Sequence, residues 1–418
     1  MDEILSSRTV DRCRACGSRR LHRYLDMGRT PLANSYLDDR SAKEPEFTEE
    51  LCLQLCEDCG LSQLTKVVHP DRMFRHYLYV SSTTATIREH FAEFARTAAA
   101  AANAGKGDLA LDIASNDGCL LKSFSGIGLE ILGVDPAQNL AEEANAAGLR
   151  TWCGYWSKDL AQRAASEIAR PKVITAANVF AHVDDMSGFV EAVAACLAPN
   201  GIFAIECPYV VDFIEKGEFD TAYHEHLSYI GITPLTALML KHGLAVHDVE
   251  YFPEIHGGTI RVFVSRSGQR QPTARLQEFL RKEEKFGIRD RKTYDSFATR
   301  VLQNRERLLA ELASLRAAGK TVWAYGASAK GNTLLNFYGI SAADVSLAID
   351  DNPKKWGLLT PGARMKIVGV DALKSGKPDC LLLLAWNFEK EIRRRCQAAG
   401  YGGQFLVPGP VARLVPAN

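Results

Sequence analysis

At 418 residues the chain is longer than one ordinary domain and fits two or three. Lys+Arg and Asp+Glu both number 50, and a zero formal charge argues against a nucleic-acid protein, which usually shows a basic excess. No apolar run approaches the roughly 18 residues of a membrane span, and Met1 to Arg8 carries two acids and no apolar core, unlike a signal peptide. The expectation is a cytoplasmic chain, whose eleven cysteines need a reading other than disulfides.

The first element is a metal-ligand pattern in residues 1–70. Cys13-Arg-Ala-Cys16 and Cys56-Glu-Asp-Cys59 are two C-x-x-C pairs, each followed by glycine, Gly17 and Gly60. Each pair places two thiolates on one tight turn, and two such turns form the tetrahedral S4 set that zinc prefers. The 39 residues between the pairs call for a small inserted element. Two redox motifs are the alternative, but no thioredoxin-like strand and helix surround either pair. Four thiolates leave no open position, so the site predicts a structural zinc. Cys52 falls on the apolar side of a strand, Leu51-Cys-Leu-Gln-Leu55. Cys119, Cys153, Cys196, Cys207, Cys380 and Cys396 lie in apolar segments and read as core residues.

Residues 71–270 read as a Rossmann-like α/β domain. Asp108-Leu-Ala-Leu-Asp-Ile113 is a short buried strand that runs into the turn Ala114-Ser-Asn-Asp-Gly118 and a helix, Cys119 to Phe124. Ile131-Leu-Gly-Val-Asp135 is the next strand and ends in an acid that can accept both ribose hydroxyls. NAD would call for G-x-G-x-x-G against its pyrophosphate, and only Gly118 is present. S-adenosylmethionine has no phosphate and carries a sulfonium, which suits Asp112 and the polar turn Ser115-Asn116-Asp117-Gly118 better. Ala114 replaces the first glycine expected in such a turn. Further strands are Lys172 to Ala177, Gly201 to Cys207, Leu244 to Tyr251 and Thr259 to Ser265. This alternation predicts a mainly parallel, doubly wound sheet, with ligands at the carboxyl ends of its strands. Asp112, Asp135, Pro136 and Asn178 fall there and are assigned to the cofactor.

The densest acid-base cluster is Tyr223-His-Glu-His-Leu-Ser-Tyr229. A second cluster, His76-Tyr-Leu-Tyr-Val-Ser-Ser82, contains Tyr77, Tyr79 and Ser81; His182 follows a strand of the sheet, and His256 precedes Gly257-Gly258. Methyl transfer to oxygen or nitrogen needs modest base help. Transfer to carbon beside a ketone needs a base for the C–H proton and donors for the enolate, which His, Glu and Tyr together supply. For any one histidine, a surface or capping role is the competing reading.

Residues 271–418 read as a helical linker and a second Rossmann-like domain. Ala274 to Lys285 and Tyr294 to Ala318 are helices, with Leu276, Phe279, Leu280, Val301, Leu308, Leu309 and Leu312 at helical spacing. Lys320 to Tyr325 is a strand, followed by Gly326-Ala-Ser-Ala-Lys-Gly-Asn332 and a helix, Thr333 to Tyr338; Val345 to Asp350 and Cys380 to Trp386 are further strands. Helix N-terminal amides with Lys330 make a phosphate site. Gly326, Lys330 and Asn332 are assigned to a nucleotide diphosphate, and Asp350 to ribose or base; a degenerate Rossmann-like domain that binds nothing is the competing reading.

The order of these motifs resembles the sugar C-methyltransferase family that places a methyl branch at C-3 of nucleotide-linked 4-keto-deoxyhexoses. The resemblance covers nearly the whole chain. It rests on Cys13-x-x-Cys16, Leu25-Asp-Met-Gly28 with Pro31-Leu-Ala-Asn34, Cys56-x-x-Cys59, Ser115-Asn-Asp-Gly118, Tyr223-x-Glu-His226, His256-Gly-Gly258, Tyr325-Gly-Ala327 with Ala329-Lys330, and Leu384-Ala-Trp-Asn387. It implies S-adenosylmethionine as cofactor, an N-terminal structural zinc and a thymidine-diphosphate (TDP)-linked 4-keto sugar as substrate. It further implies His226 as base, Glu225 as its partner or a substrate ligand, Tyr223 and Tyr77 as active-site hydroxyls, and His182 in the same pocket. Tyr79, Ser81 and His256 are assigned to substrate. Family members can carry Asp where this chain has His224, and the loop after Lys330 varies. No nucleic acid or membrane partner is expected, and a monomer is the working expectation. The alternatives are a zinc-containing methyltransferase for RNA or another small molecule, and a non-catalytic nucleotide-binding protein.

Overall fold

The computed structural model describes residues 7–74, 85–255 and 257–416. Tyr77, Tyr79, Ser81 and His256 therefore lie outside the described residues.

The N-terminal module is built on β1 (Arg8–Thr9), β2 (Leu21–Pro31), β3 (Thr48–Cys56), β4 (Ser62–Leu64) and β5 (Lys66–Val67). β2 and β3 pair antiparallel with two register shifts, and β4 pairs with β3. Cys52 is buried in β3, as its place on the apolar side of the strand requires.

The middle domain contributes β6 (Leu109–Ile113), β7 (Glu130–Asp135), β8 (Thr151–Cys153), β9 (Val173–Ala177), β10 (Ile202–Pro208), β11 (Ser228–Tyr229), β12 (Leu244–Phe252) and β13 (Thr259–Arg266). Its seven-stranded sheet has the order β12-β13-β10-β9-β6-β7-β8. β8 to β10 run parallel, and β13 and β12 add antiparallel strands at one side. β6 and β9 are buried over at least four successive positions because helices cover both faces of a parallel sheet. One cover is the helix Ala85–Ala102, which buries Phe91, Phe94, Ala95, Ala98, Ala99 and Ala102. Small alanines bring its axis close to the strands. The fully buried Arg261 pins this helix: its guanidinium bonds Glu206 (2.9 Å), Glu93 (2.7 Å) and Glu250 (3.2 Å) between the rings of Phe94 and Phe252. Cys153 corrects the core reading: it is exposed, because β8 is the edge strand.

β11 leaves that sheet. It pairs with β4, so the N-terminal sheet runs β11-β4-β3-β2 and takes a strand from the residues directly after His226.

The linker is two helices. Ala274–Phe286 is capped by Thr273, whose hydroxyl accepts from the Leu276 amide, and stops at left-handed Gly287. The next, Arg291–Ala317, spans about 40 Å at 1.5 Å per residue. It touches all three parts of the molecule: Tyr294 packs on Tyr24 (5.0 Å between rings), Phe297 on Phe213 (5.1 Å), and Asn304 bonds the Pro408 carbonyl and the Ala412 amide (2.6 Å each).

The C-terminal domain is a second sheet of β14 (Val322–Tyr325), β15 (Leu347–Ile349), β16 (Lys366–Val368), β17 (Cys380–Leu383), β18 (Gln404–Val407) and β19 (Arg413–Val415), ordered β16-β15-β14-β17-β18-β19. All pairs but the last are parallel. The order reverses between β14 and β17, and ligands of such sheets bind at the carboxyl end of that junction. Two boundaries differ from expectation. Ser328 caps the first helix, so it opens at Ala329 and carries Lys330 in its first turn. β17 stops at Leu383, because the chain there bends against Gly326 (φ +97), where an added Cβ would lie 2.7 Å from that of Ala385.

Candidate functional site

The two C-x-x-C turns bring their four sulfurs together. Cys13 and Cys59 sulfurs lie 3.5 Å apart, Cys16 and Cys56 3.4 Å apart, and all four fall within 4.8 Å of one another. These separations exceed a disulfide bond of about 2.05 Å. They approach the roughly 3.8 Å edge of a tetrahedron built on 2.3 Å zinc–sulfur bonds, so the donor set fits zinc. In the bare cluster the hydrogen bond with Cys56, with burial behind it, pushes Cys13 up to about 12. A divalent cation removes that conflict by holding all four as thiolates. Between the ligands of the first turn, Arg14 is buried and reaches the middle domain: Nη1 donates to the Leu64 and Leu227 carbonyls (3.2 Å each) and Nε to Asp184 (3.3 Å).

The second group lies at the carboxyl ends of β6, β7 and β9. The chain leaves β6 through Ala114 (φ +57) and Asn116 (φ +52), and leaves β9 through Asn178 (φ +55). Asparagine tolerates this left-handed region, whereas alanine there is strained by about 1 kcal/mol. The turn keeps its shape without the glycines that usually make it. Asp135 is fixed by two amides: Asn116 donates to Oδ2 and Ala137 to Oδ1, both at 2.8 Å. Burial raises Asp135 above the usual carboxylate range, and the two amides oppose the shift. Each oxygen keeps a lone pair for a ribose hydroxyl. Pro136 lies between those anchors, and Gly118 leads into the helix Cys119–Gly126. Burial pushes Asp112 up to about 7, against the hydrogen bond from Thr175 (2.6 Å) and with the charge of Asp135. Ser115 Oγ and Asn178 Oδ1 are buried with no hydrogen-bond partner among the described residues. Orphaned buried groups at strand ends are what a polar ligand satisfies, so these residues fit a nucleoside cofactor. Asp135→Ala is expected to weaken S-adenosylmethionine binding at least tenfold while leaving zinc content and thermal stability near those of the wild type. Calorimetry with S-adenosylmethionine checks it, and unchanged affinity would reassign the acid.

The third group is the 218–226 segment. His226 Nδ1 donates to the Thr221 carbonyl (2.7 Å), which leaves Nε2 as the acceptor nitrogen of the neutral ring, and the Tyr223 hydroxyl donates to it (2.8 Å). The His182 ring lies 4.9 Å from that of His226, edge to face. Burial lowers His182 to about 4, with the Glu225 and Asn178 backbones opposing, so it is neutral at physiological pH. His182 thus stands between the cofactor turn after β9 and the acid-base segment. Glu225 accepts from Asn34 Nδ2 at 2.7 Å. His224 faces away: its Nε2 meets the Glu49 carbonyl (3.2 Å), and burial lowers its pKa.

The C-terminal turn packs against this segment. Lys330 Nζ lies 3.7 Å from Asp220 and 3.9 Å from Glu218, over the Trp386 ring, and the Trp386 indole N–H donates to Asp220 (2.8 Å). Burial raises Glu218 and Asp220, and Lys330 opposes both shifts. Asn332 is fully buried and donates to the Ala33 carbonyl (2.8 Å). Asp350 pairs with Lys355 (3.2 Å) beside the turn that follows Gly326. Sequence reasoning did not single out Asn34, Asp220, Thr221 or Trp386. Asn34 and Trp386 stand inside motifs that carry the family resemblance, which was the available signal.

Three family matches cover the chain in order: a zinc binding domain over residues 13–74, a methyltransferase domain over 85–249 and a C-methyltransferase C-terminal domain over 254–410. The C-methyltransferase NovU of Streptomyces niveus is 34% identical over 413 residues, 98% of each chain. A ubiquinone biosynthesis O-methyltransferase of Bradyrhizobium sp. (strain ORS 278) is 27% identical over 157 residues, 33% of this chain and 58% of the relative. Among solved structures, magnesium protoporphyrin IX methyltransferase of Synechocystis PCC 6803 with bound S-adenosylmethionine aligns with a TM-score of 0.34 and 12% identity, over 43% of this chain and 79% of that one. The four-cysteine cluster lies in the zinc-binding match, and the strand-end residues Asp112, Asp135 and Asn178 lie in the methyltransferase match. No helix among the described residues is long and apolar enough to cross a membrane. With a full-length relative at this identity, the chain belongs to the S-adenosylmethionine-dependent, zinc-binding C-methyltransferase family.

Proposed function

We propose that this enzyme methylates C-3 of a TDP-linked 4-keto-deoxysugar, with His226 as the base. The reading is carried by one observation: His226 Nε2 is an acceptor already paired with the Tyr223 hydroxyl, in a segment that also supplies Glu225 and touches His182. S-adenosylmethionine, when bound, supplies the methyl group as an electrophile. The chain's own residues handle the proton. His226 takes it from C-3, directly or through Tyr223, and the electron pair moves onto the C-4 carbonyl oxygen. Where Tyr223 relays the proton, Tyr77 donates to that oxygen; where His226 takes it directly, the Tyr223 hydroxyl turns from Nε2 to the oxygen, and C-3 then takes the methyl group. Glu225 holds the sugar, and a neutral His182 forms the wall between sugar and cofactor. General-base catalysis of this kind contributes roughly 10²–10⁴ in rate. Tyr79, Ser81 and His256 remain assigned to the sugar, and Gly326, Lys330 and Asn332 to its diphosphate at the opening of the helix Ala329–Tyr338. Lys330 Nζ, buried with no hydrogen-bond partner among the described residues and 3.9 and 3.7 Å from Glu218 and Asp220, is the charge offered to the phosphates. Asp350 sits at the end of β15, where it suits ribose or base. A cytoplasmic location suits a site made of reduced thiols.

The test is incubation with labelled S-adenosylmethionine and a panel of 4-keto sugar nucleotides, one carrying deuterium at C-3. Methylated product that has lost the deuterium supports the reading. Methyl transfer with the deuterium retained, or transfer only to other acceptors, overturns it.

A further inference from the structure

The loop after β2 reaches from the N-terminal module into the acid-base segment, and the C-terminal domain pins it on both sides. Asn34 Nδ2 donates to Glu225 Oε1 at 2.7 Å. The neighbouring Ala33 carbonyl accepts from the fully buried Asn332 (2.8 Å), and the Tyr36 hydroxyl donates to the Ala327 carbonyl (2.6 Å). Lys355 stacks on the Tyr36 ring and donates to the same carbonyl at 2.8 Å. The four-residue stretch Ala33 to Tyr36 is therefore held at three points, and its Asn34 side chain meets a carboxylate of the middle domain.

A hydrogen bond from a neutral amide favours the ionised form of a carboxyl group and fixes its direction. We propose that Asn34 is a positioning residue for methyl transfer, keeping Glu225 ionised and oriented, and that the turn from Gly326 to Asn332 holds Asn34 in place. The C-terminal domain thereby acts on the acid-base segment through the N-terminal loop, as well as through Trp386 and Asp220. Among the described residues, the titratable groups near Glu225 include Tyr36 and, at its backbone, His182, with Lys355 and Asp350 beyond Tyr36. This inference rests on the reading that Glu225 serves the reaction.

Asn34→Asp keeps the shape but sets two carboxyl groups within hydrogen-bond distance, and like charges that close force one pKa upward. The acidic limb of kcat/KM against pH is expected to move up by at least about one unit, a tenfold loss on that limb. Zinc content and S-adenosylmethionine affinity should stay as in the wild type. Asn34→Ser, which withdraws the amide without adding a charge, should move the limb in the same direction by less. A residue that merely anchored the loop would lower stability without moving the limb. If neither variant moves it, the proposal is wrong. Glu225→Gln is measured alongside: an unchanged rate in that variant would remove the role of Glu225 itself. An inactive Glu225→Gln with unshifted Asn34 variants would overturn only the positioning role.

Discussion

His226→Asn is expected to abolish methyl transfer, with a loss of roughly 10²–10⁴ in kcat. Asparagine preserves a donor toward the Thr221 carbonyl but has no basic nitrogen at the position of Nε2. Sugar-nucleotide affinity should therefore survive. The same variant should stop solvent deuterium from entering C-3 of the bound substrate in the absence of turnover. The rival base is His182, whose ring is 4.9 Å away. Burial lowers its pKa to about 4, so it is a poor proton acceptor near neutral pH. His182→Asn should keep deuterium exchange and lose activity through misplacement of substrate against cofactor. Mass spectrometry of the exchanged sugar, run on both variants side by side, decides between them. Exchange that persists in His226→Asn and vanishes in His182→Asn would move the base to His182.

Cys56→Ser should do more than empty the metal site. Structural zinc contributes about 10–16 kcal/mol of apparent binding energy in small zinc modules, and that energy is folding energy. Here the module is coupled to the acid-base segment. β11 completes its sheet immediately after His226, and Arg14, set between two ligands, holds the Leu227 carbonyl. Loss of zinc should therefore lower solubility and also disorder the 223–227 segment in whatever protein remains soluble. The expected result is near-zero zinc by metal analysis together with at least a tenfold loss of kcat, while the strand-end cofactor pocket still binds S-adenosylmethionine. Folded, purified wild-type protein that contains no zinc would refute the assignment of the site.

Several features were legible in the chain before any fold was known, and each is local. The C-x-x-C pairs announce a metal because ligand spacing is a property of a short turn. β6, β7, β9, β10 and β14 were readable because strands covered on both faces are mostly apolar runs, broken at single positions, bounded by turn residues. The places of Asp112, Asp135 and Asn178 at the carboxyl ends of strands were readable as well, because a strand end is marked by the residues beside it.

Other features depended on contacts between distant segments. Glu283 reads as one more charge on a helix face, yet it is fully buried, accepts from the Ile232 and Thr233 amides (2.6 and 2.7 Å) and so caps another helix. Lys330 reads as a phosphate ligand of its own turn, but the middle domain sets Glu218 and Asp220 beside it. β11 has two residues and no pattern of its own; only β4 makes it a strand. Sequence periodicity reports the environment of a residue within its own element, and this was enough for the zinc turns, the two sheets and the cofactor strand ends. The partners of Glu225 and Asp220 come from the loops at Asn34 and Trp386, 191 and 166 residues away, separations no periodicity spans, so tertiary packing alone decided how the acid-base segment is held.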